Sequence, residues 1–544
     1  MALTETPPRE AEAVVPPYEA PPAPARGLAS VVGTSDHKVV GRLFMGTAFL
    51  FGLAAAGGGQ LVAIDRIDGT TGNTILNHDT FFQVFTLQAV AGTLLFALPL
   101  LIGLGLLVVP LQIGAKTVAF PRAAAAAYWS FLISGCLVVA SYAMNGGPGG
   151  GSSTGVDLWA LAMLGVVASL LLATLCVVTT VLGLRAPGMT LDRTPLFSWS
   201  MLAAGGVWLL SLPVLAASLL LVYTGHRFAG RSFAFSSNDA VFLRIRWVLS
   251  QPQLYAFAAP VLGIAADVVV TAVRRRQILH RTAMAAIGAF AVLGFGGYVA
   301  TFDNPKVLTE PVFVVGAFGA VIPLLLFGGL LADTLRRGSV RLTSPLAFAS
   351  VAYLMLLAGV LAGAAVAVDA FDLQGTVWNT AVTNYVVLAA VIGALGGLHH
   401  WATKIVGRPL SEPVGYLAAL ALLGGTVLTC FPDLISGAFG NRTDKVKGIE
   451  ALNAIAAIGT AVVILGALLA VANVLAGLRR RSGKDDEGEP DPWVGGLTLE
   501  WATKSPPPPD NFDVVLPEVT SEAPLLDARR ADETQSDVTE GAGV

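Results

Sequence analysis

From Arg42 to about Leu478 the chain alternates between long apolar runs and short polar connections. About 20 apolar residues rising ~1.5 Å each span the ~30 Å hydrocarbon core of a bilayer. The pattern predicts twelve such spans, at about 41–64, 83–110, 125–145, 157–184, 197–223, 242–271, 283–302, 311–333, 345–367, 377–401, 413–431 and 451–478. The fold class read from this is all-α, a polytopic membrane protein with twelve transmembrane helices. The tenth span, within Gly375–Trp401, has no charge in its interior but opens with Asn379, Thr380, Thr383 and Asn384. Amides in hydrocarbon are costly unless they face a partner or a cavity.

Composition agrees. Of 544 residues, 54% are hydrophobic and 13% charged, and mean hydropathy is +0.71. That excludes an ordinary soluble enzyme. A net charge of −3 gives no reason to expect a nucleic-acid partner. The three cysteines, Cys136, Cys176 and Cys430, lie in apolar runs without a CxxC and read as buried free thiols. Residues 1–34 are rich in Pro, Ala and Glu and read as a disordered N-terminal arm. Residues 35–481 form the membrane domain, and 482–544 form a Pro-rich C-terminal tail. The tail is too polar for a core of its own. Its Trp493, Trp501 and Phe512 are candidates to dock on a partner protein.

The loops differ in charge. One set carries Lys38, Lys116, Arg122, Arg185, Arg193, Arg274–Arg276, Arg281, Arg336, Arg337, Arg341, Lys404, Arg408 and Arg479–Arg481. The other carries Arg66, Arg227, Arg231, Lys306, Arg442, Lys445 and Lys447. Excess Lys and Arg stays inside, so both termini are expected in the cytoplasm of a cell whose plasma membrane holds the chain. Three long loops, 66–82, 225–240 and 433–449, would cap the outer face.

Five stretches, taken in order, resemble subunit I of the haem–copper oxidases, the cytochrome c oxidase type. They are GTSDHKVVGRLFM (Gly33–Met45), VPLQIGAKTVAFPR (Val109–Arg122), RAPGMTLDRTPLFSW (Arg185–Trp199), RLTSPLAF (Arg341–Phe348) and DPW…TLEWATKSPPPPDNF in the tail. The resemblance runs from about Thr34 to Arg529 and implies twelve helices, two haems and copper, a respiratory membrane complex and other oxidase subunits as partners.

The departures fall on the residues that would do the chemistry. Where the resemblance implies a haem-binding His on helix two, in a phrase like FTMHG, this chain has FTLQA and Gln88. Where it implies HFH on helix ten, one His for each haem, this chain has Val382, Thr383 and Asn384. GHPEVY on helix six becomes SQPQLY, with Gln251 and Gln253 for His and Glu, and Tyr255 retained at the redox-active tyrosine. The two copper histidines of helix seven fall among Gly296, Gly297 and Tyr298. The proton-path Asp and Lys become Thr117 and Phe327, the magnesium pair becomes Gln374 and Gly375, and Arg442 is left of an arginine pair beside the haem propionates.

Iron in haem takes His, Met, Cys or Tyr, and redox copper takes imidazole or thiolate. The six histidines, His37, His78, His226, His280, His399 and His400, sit in loops or at span ends. The pair His399–His400 reads as a wet interfacial pair, with metal binding as the other reading. No Asp, Glu or Lys falls in the middle of a span; Asp267 and Asp333 lie near span ends. No catalytic, cofactor-binding or metal residue is therefore expected, and no cofactor. Gln88 and Asn384 would face each other across the haem position and are expected to hydrogen-bond, directly or through one water. Tyr255 is expected to bond to Gln251 or to pack as a buried tyrosine. Small-residue stretches at Ala89–Thr93, Gly294–Gly297 and Gly393–Gly397 would let helices close up. Three functions stay open: a cofactor-less structural or regulatory relative (a pseudoenzyme), a terminal oxidase with unusual ligands that reduces oxygen and pumps protons, and a transporter or channel on the same scaffold.

Overall fold

A computed structural model describes residues 28–67, 75–148, 150–229, 245, 247–249, 253–294, 309–441, 448–479 and 490–531, without the side chains of 28, 29, 78, 79, 229, 249, 309–313 and 369. Among these residues there are helices and no strands. Leu28–Val32 is a short helix that belongs to a separate unit, Met1–Thr34.

The second unit holds the bundle. Its helices are α1 (His37–Asp65), α2 (His78–Val90, a π-helical stretch Ala91–Ala97, then Leu98–Gln112), α3 (Pro121–Ala143) and α4 (Ser153–Gly183). Next come α5 (Leu196–Ala229), α6 (Tyr255–Val273), α7 (His280–Leu293) and α8 (Thr309–Arg336). The chain continues through α9 (Ser344–Val366), α10 (Trp378–Val406), α11 (Glu412–Ala438) and α12 (Glu450–Arg479). Eleven are long and apolar enough to cross a membrane, and α7 is a shorter apolar helix. The sequence reading of spans thus holds in outline, with several ends shifted by a few residues and two by more. Helix α6 begins at Tyr255, not near 242, behind a 3-10 turn at Trp247–Leu249. Helix α7 is described only to Leu293, and the rest of its predicted span lies outside the described residues. So does much of the three predicted outer loops.

Local chemistry sets the ends. The Asp36 carboxylate accepts from the Lys38 amide and caps α1, and the Ser152 hydroxyl does the same for α4. Pro121, Pro345 and Pro413 lie in the first turns of α3, α9 and α11, where no intrahelical N–H is needed. Gly407 ends α10 at φ 81°.

Burial ranks the helices. The apolar windows of α6, α2 and α10 are 100%, 94% and 78% buried, against 28% for α12 and 33% for α3. The centre of the bundle is therefore α2, α6 and α10, with the others around them. Close approaches use glycine. A Cβ on Gly41 of α1 would sit 2.6 Å from the Gly103 carbonyl of α2. In the predicted stretch Gly393–Gly397, added Cβ atoms would meet Val261 of α6 at 2.7 Å, Phe348 of α9 at 2.7 Å and Leu104 of α2 at 2.8 Å. Gly92 meets nothing within 4 Å, while Ala91 and Thr93 of the stretch at Ala89–Thr93 are buried. In Gly294–Gly297 only Gly294 is described. Cys176 and Cys430 are buried as read, but Cys136 is exposed on the outward side of α3.

The tail departs most from the sequence reading. Residues 490–531 pack on the bundle, with Leu497, Leu499, Trp501, Val519 and Ala523 all buried. It makes a core with the bundle that it could not make alone, and Trp493 and Trp501, expected to meet a partner, pack on this chain.

Candidate functional site

The three central helices carry the positions where the sequence reading looked for ligands. Val382 of α10 is 1% exposed and offers no donor atom. Gln88 of α2 and Asn384 of α10 are half-buried. A Cβ on Gly59 of α1 would lie 3.2 Å from the Gln88 amide, so Gln88 packs on α1. Among the described residues no hydrogen bond joins Gln88 to Asn384. The direct amide pair expected from the sequence is not formed; the Gln88 amide lies against Gly59 instead. The π-helical stretch begins three residues after Gln88. Such bulges relieve a register mismatch and are frequent at functional sites.

At the start of α6, Gln253 and Tyr255 are both fully buried. Neither amide atom of Gln253 has a hydrogen-bond partner. Tyr255 stacks on Phe290 of α7 at 6.0 Å between ring centres, which agrees with the packing reading. Gln251, Gly296, Gly297, Tyr298 and Arg442 lie outside the described residues, and so does any Tyr255–Gln251 bond. Thr117 is half-buried, Phe327 is fully buried in the core, and Gln374 and Gly375 are exposed. The donors at Gln88, Val382 and Asn384 do not fit haem iron: carboxamides are poor ligands and an isopropyl group is none. Among the described residues no three His, Cys, Asp or Glu side chains lie close enough to share a metal.

A second constellation, which sequence reasoning missed, lies where the tail meets α1, α2, α6 and α10. His399 and His400 are 1% and 2% exposed, so they are not a wet interfacial pair. The ring of His400 stacks on Trp493 at 5.8 Å and is met edge-on by Trp401 at 5.1 Å and Trp501 at 5.3 Å. His399 lies tilted against the Phe348 ring at 4.7 Å and donates from Nδ1 to the Leu395 carbonyl at 2.8 Å. The tail tryptophans cover the His400 ring, while His399 is buried among the helices.

Lys38 and Lys404, read as loop charges, are also buried beneath it, at 8% and 2% exposure. Lys38 Nζ donates to the Pro509 carbonyl at 2.9 Å and to Asn511 Oδ1 at 3.0 Å, and pairs with Asp36 at 3.0 Å. Lys404 Nζ donates to the Pro490 and Thr503 carbonyls and, at 3.1 Å, to Ser505 Oγ. It also stands 5.6 Å from the Trp501 ring centre, a cation–π contact.

Gln112 at the end of α2 joins two acids. Its Nε2 donates to Asp267 of α6 at 2.7 Å and to Glu500 of the tail at 3.1 Å, and its Oε1 accepts from Ser198 at 2.7 Å. Trp401 Nε1 adds a bond to Glu500 at 3.3 Å. Burial pushes the Glu500 carboxyl above the usual carboxylate range, and the hydrogen bonds from Gln112 and Trp401 only partly oppose this. On the opposite face, Arg66 at the end of α1 forms a buried fork with Asp433 of α11 at 2.6 and 3.5 Å. Asn453 of α12 bonds to the Arg66 carbonyl at 2.8 Å. The signal for the tail site was the family-like phrase TLEWATKSPPPPDNF itself. For Arg66–Asp433 there was none, since the partners lie 367 positions apart.

Comparison with known proteins matches this architecture. The profile of the family described as Cytochrome C and Quinol oxidase polypeptide I covers residues 39–465. The chain belongs to that family. It is 30% identical to the putative cytochrome c oxidase subunit 1-beta of Streptomyces avermitilis over 93% of this chain and 92% of that protein. It is 29% identical to cytochrome c oxidase subunit 1 of Bacillus subtilis, over 88% and 80% of the two chains. It is also 30% identical to the heme-copper oxidase subunit I+III of Aeropyrum pernix, over 89% of this chain and 61% of that longer protein.

Proposed function

We propose that this chain is a cofactor-less member of the oxidase subunit I family, a structural or regulatory component of a respiratory complex in the plasma membrane. The observation that carries the reading is the set Gln88, Val382 and Asn384 on the two central helices that would hold haem iron. Val382 is packed into the core and Gln88 is packed on Gly59. A scaffold kept whole around positions that lack donors fits a role in assembly better than one in electron transfer. The names of the relatives support other oxidase subunits as partners, one of them being a fused subunit I+III. The excess of Lys and Arg supports a cytoplasmic position for the face that carries the tail.

Affinity purification of the tagged chain in mild detergent, followed by identification of co-purifying proteins and by haem and copper analysis of the isolated chain, tests this. Oxidase subunits bound to a chain without haem or copper are the expected result. A second reading, an oxidase with unusual ligands, draws on the same relatives' names and requires stoichiometric haem in that experiment. Single cysteines at Gly150 and Gly488 test the orientation: reagent added outside should label only the first.

A further inference from the structure

The loops that follow α6 and α8 meet the tail at a surface rich in arginine. Gly338, just after α8, lies against Val273: an added Cβ would come within 2.7 Å of that side chain. The Arg341 amide donates to the Ala272 carbonyl at 3.1 Å, and the Arg341 guanidinium donates to the Trp493 carbonyl of the tail at 3.0 Å. A Cβ on Gly495 would lie 2.7 Å from Arg274 Cγ. The two loops and the tail turn therefore form one surface.

Arg274, Arg275, Arg276, Arg336, Arg337 and Arg341 belong to it. The described acids beside them are already engaged. Asp527 pairs with Arg276, and Asp333 is shared by Arg336 and Arg337. Asp491 accepts from the amides of Gly495 and Gly496 at 2.8 and 2.7 Å. Arg274 and Arg275 are exposed, and among the described residues neither makes an ion pair or a side-chain hydrogen bond. The backbone fixes where they stand: Arg274 ends α6 at φ 55°, a conformation uncommon for a residue other than glycine. Leu342, next to Arg341, is 81% exposed, an apolar side chain left open beside the charges.

The chain itself carries the complementary charge. Residues 532–544, DETQSDVTEGAGV, hold Asp532, Glu533, Asp537 and Glu540 and no Lys or Arg. They follow directly on the helical turns 524–531, which are tied to this surface by Asp527 on Arg276 and by Arg529 on the Gly496 carbonyl. A chain spans up to ~3.5 Å per residue, so all four acids can reach Arg274 and Arg275. Each exposed ion pair is weak, but a short tether holds the partners at an effective concentration of about millimolar.

We propose that segment 532–544 folds back on this surface and that its acids cover Arg274 and Arg275. The contact clamps the end of the tail to the loops after α6 and α8. Screening shortens the range of exposed charges from ~10 Å at 0.1 M salt to ~3 Å at 1 M, so salt opens the clamp. It does not depend on whether the chain carries haem.

The test uses the full chain in phosphatidylcholine nanodiscs, with the exposed Cys136 changed to Ser and cysteines placed at Ser536 and at the exposed Ser339. The rate of disulfide formation under mild oxidation is the readout. It should be high at about 0.05 M salt and fall at about 1 M. Arg274→Gln with Arg275→Gln should lower it roughly fivefold, the order of two surface ion pairs together. Asp532→Lys with Glu533→Lys should also lower it, and adding Arg274→Glu with Arg275→Glu should restore it. Arg122→Gln, at an exposed position on α3, should change nothing. The same rates are expected in phosphatidylglycerol nanodiscs. Loss of the crosslink there would mean that lipid takes the surface, and would overturn the proposal. So would a rate indifferent to salt and to the two arginines, or one that Arg122→Gln lowers as much.

Discussion

Asn511 of the tail and His37 at the start of α1 meet through a hydrogen bond across 474 positions of sequence: Asn511 Nδ2 donates to His37 Nε2 at 3.0 Å. The same amide donates to the Ala115 carbonyl at 2.8 Å, and its oxygen accepts from Lys38. His37 completes the link with a bond from Nδ1 to the Leu106 carbonyl at 2.8 Å. One tail residue thus ties the amino end of α1 to the carboxyl end of α2. The tail is part of the folded unit, which gives it a measurable role in stability.

Trp501 is the anchor of that contact, 2% exposed against His400 and Lys404. Trp501→Ala should destabilise by about 3–5 kcal/mol, the usual cost of emptying a buried aromatic site. It should also make the tail susceptible to limited proteolysis between the end of α12 and Arg529. Val515→Ala, at an exposed tail position, should leave both readouts unchanged. A tail equally protected with and without the Trp501 ring would show that the docking rests elsewhere.

Glu500 makes the docking depend on pH. Burial raises its folded-state value above the unfolded one, so the neutral form is the one the fold prefers. Its contribution to stability is full below the unfolded carboxyl range and is lost as pH rises through the folded value. The wild-type tail should therefore loosen as pH rises from the acid side. Glu500→Gln, which keeps the shape and cannot ionise, should flatten that dependence. The unfolding midpoint measured across the pH range checks it, and an identical slope in the variant would contradict it.

The buried fork between Arg66 and Asp433 should behave as a pair. Breaking it with Asp433→Asn or Arg66→Met should cost about 3–5 kcal/mol, since the other charge is left buried. The double change should cost less than the sum of the singles. Additive losses in the cycle would mean that the two side chains do not depend on each other.

Helix contact at Gly41 is a steric prediction. Gly41→Leu forces its Cβ and more against the Gly103 carbonyl and should cost at least ~1–3 kcal/mol through overpacking. Gly46→Ala, with nothing within 4 Å of the new methyl, should be near neutral. Thermal unfolding in detergent of the two variants gives the comparison.

The spans were legible because hydropathy over ~20 residues is a local property. The central place of α2, α6 and α10 was not legible, since all the helices are apolar and period alone does not rank them. Lys38, Lys404 and His400 were misread for one reason: their surroundings come from a tail 86 or more positions away, and a polar, Pro-rich segment does not advertise that it will cover them. The direct Gln88–Asn384 bond is not formed: the alignment placed two residues on facing helices but carried no information on where each side chain finds its nearest neighbour. Gly59 of α1 decided that, and nothing in its sequence context marks it.

The central claim is that the residues at the haem positions hold no haem. A reduced-minus-oxidised optical spectrum of the isolated, quantified chain tests it most directly. The account expects no stoichiometric haem band, and metal analysis of the same sample should find no stoichiometric copper. A spectrum with about one or more haems per chain would contradict the account, whatever residue proved to hold the iron.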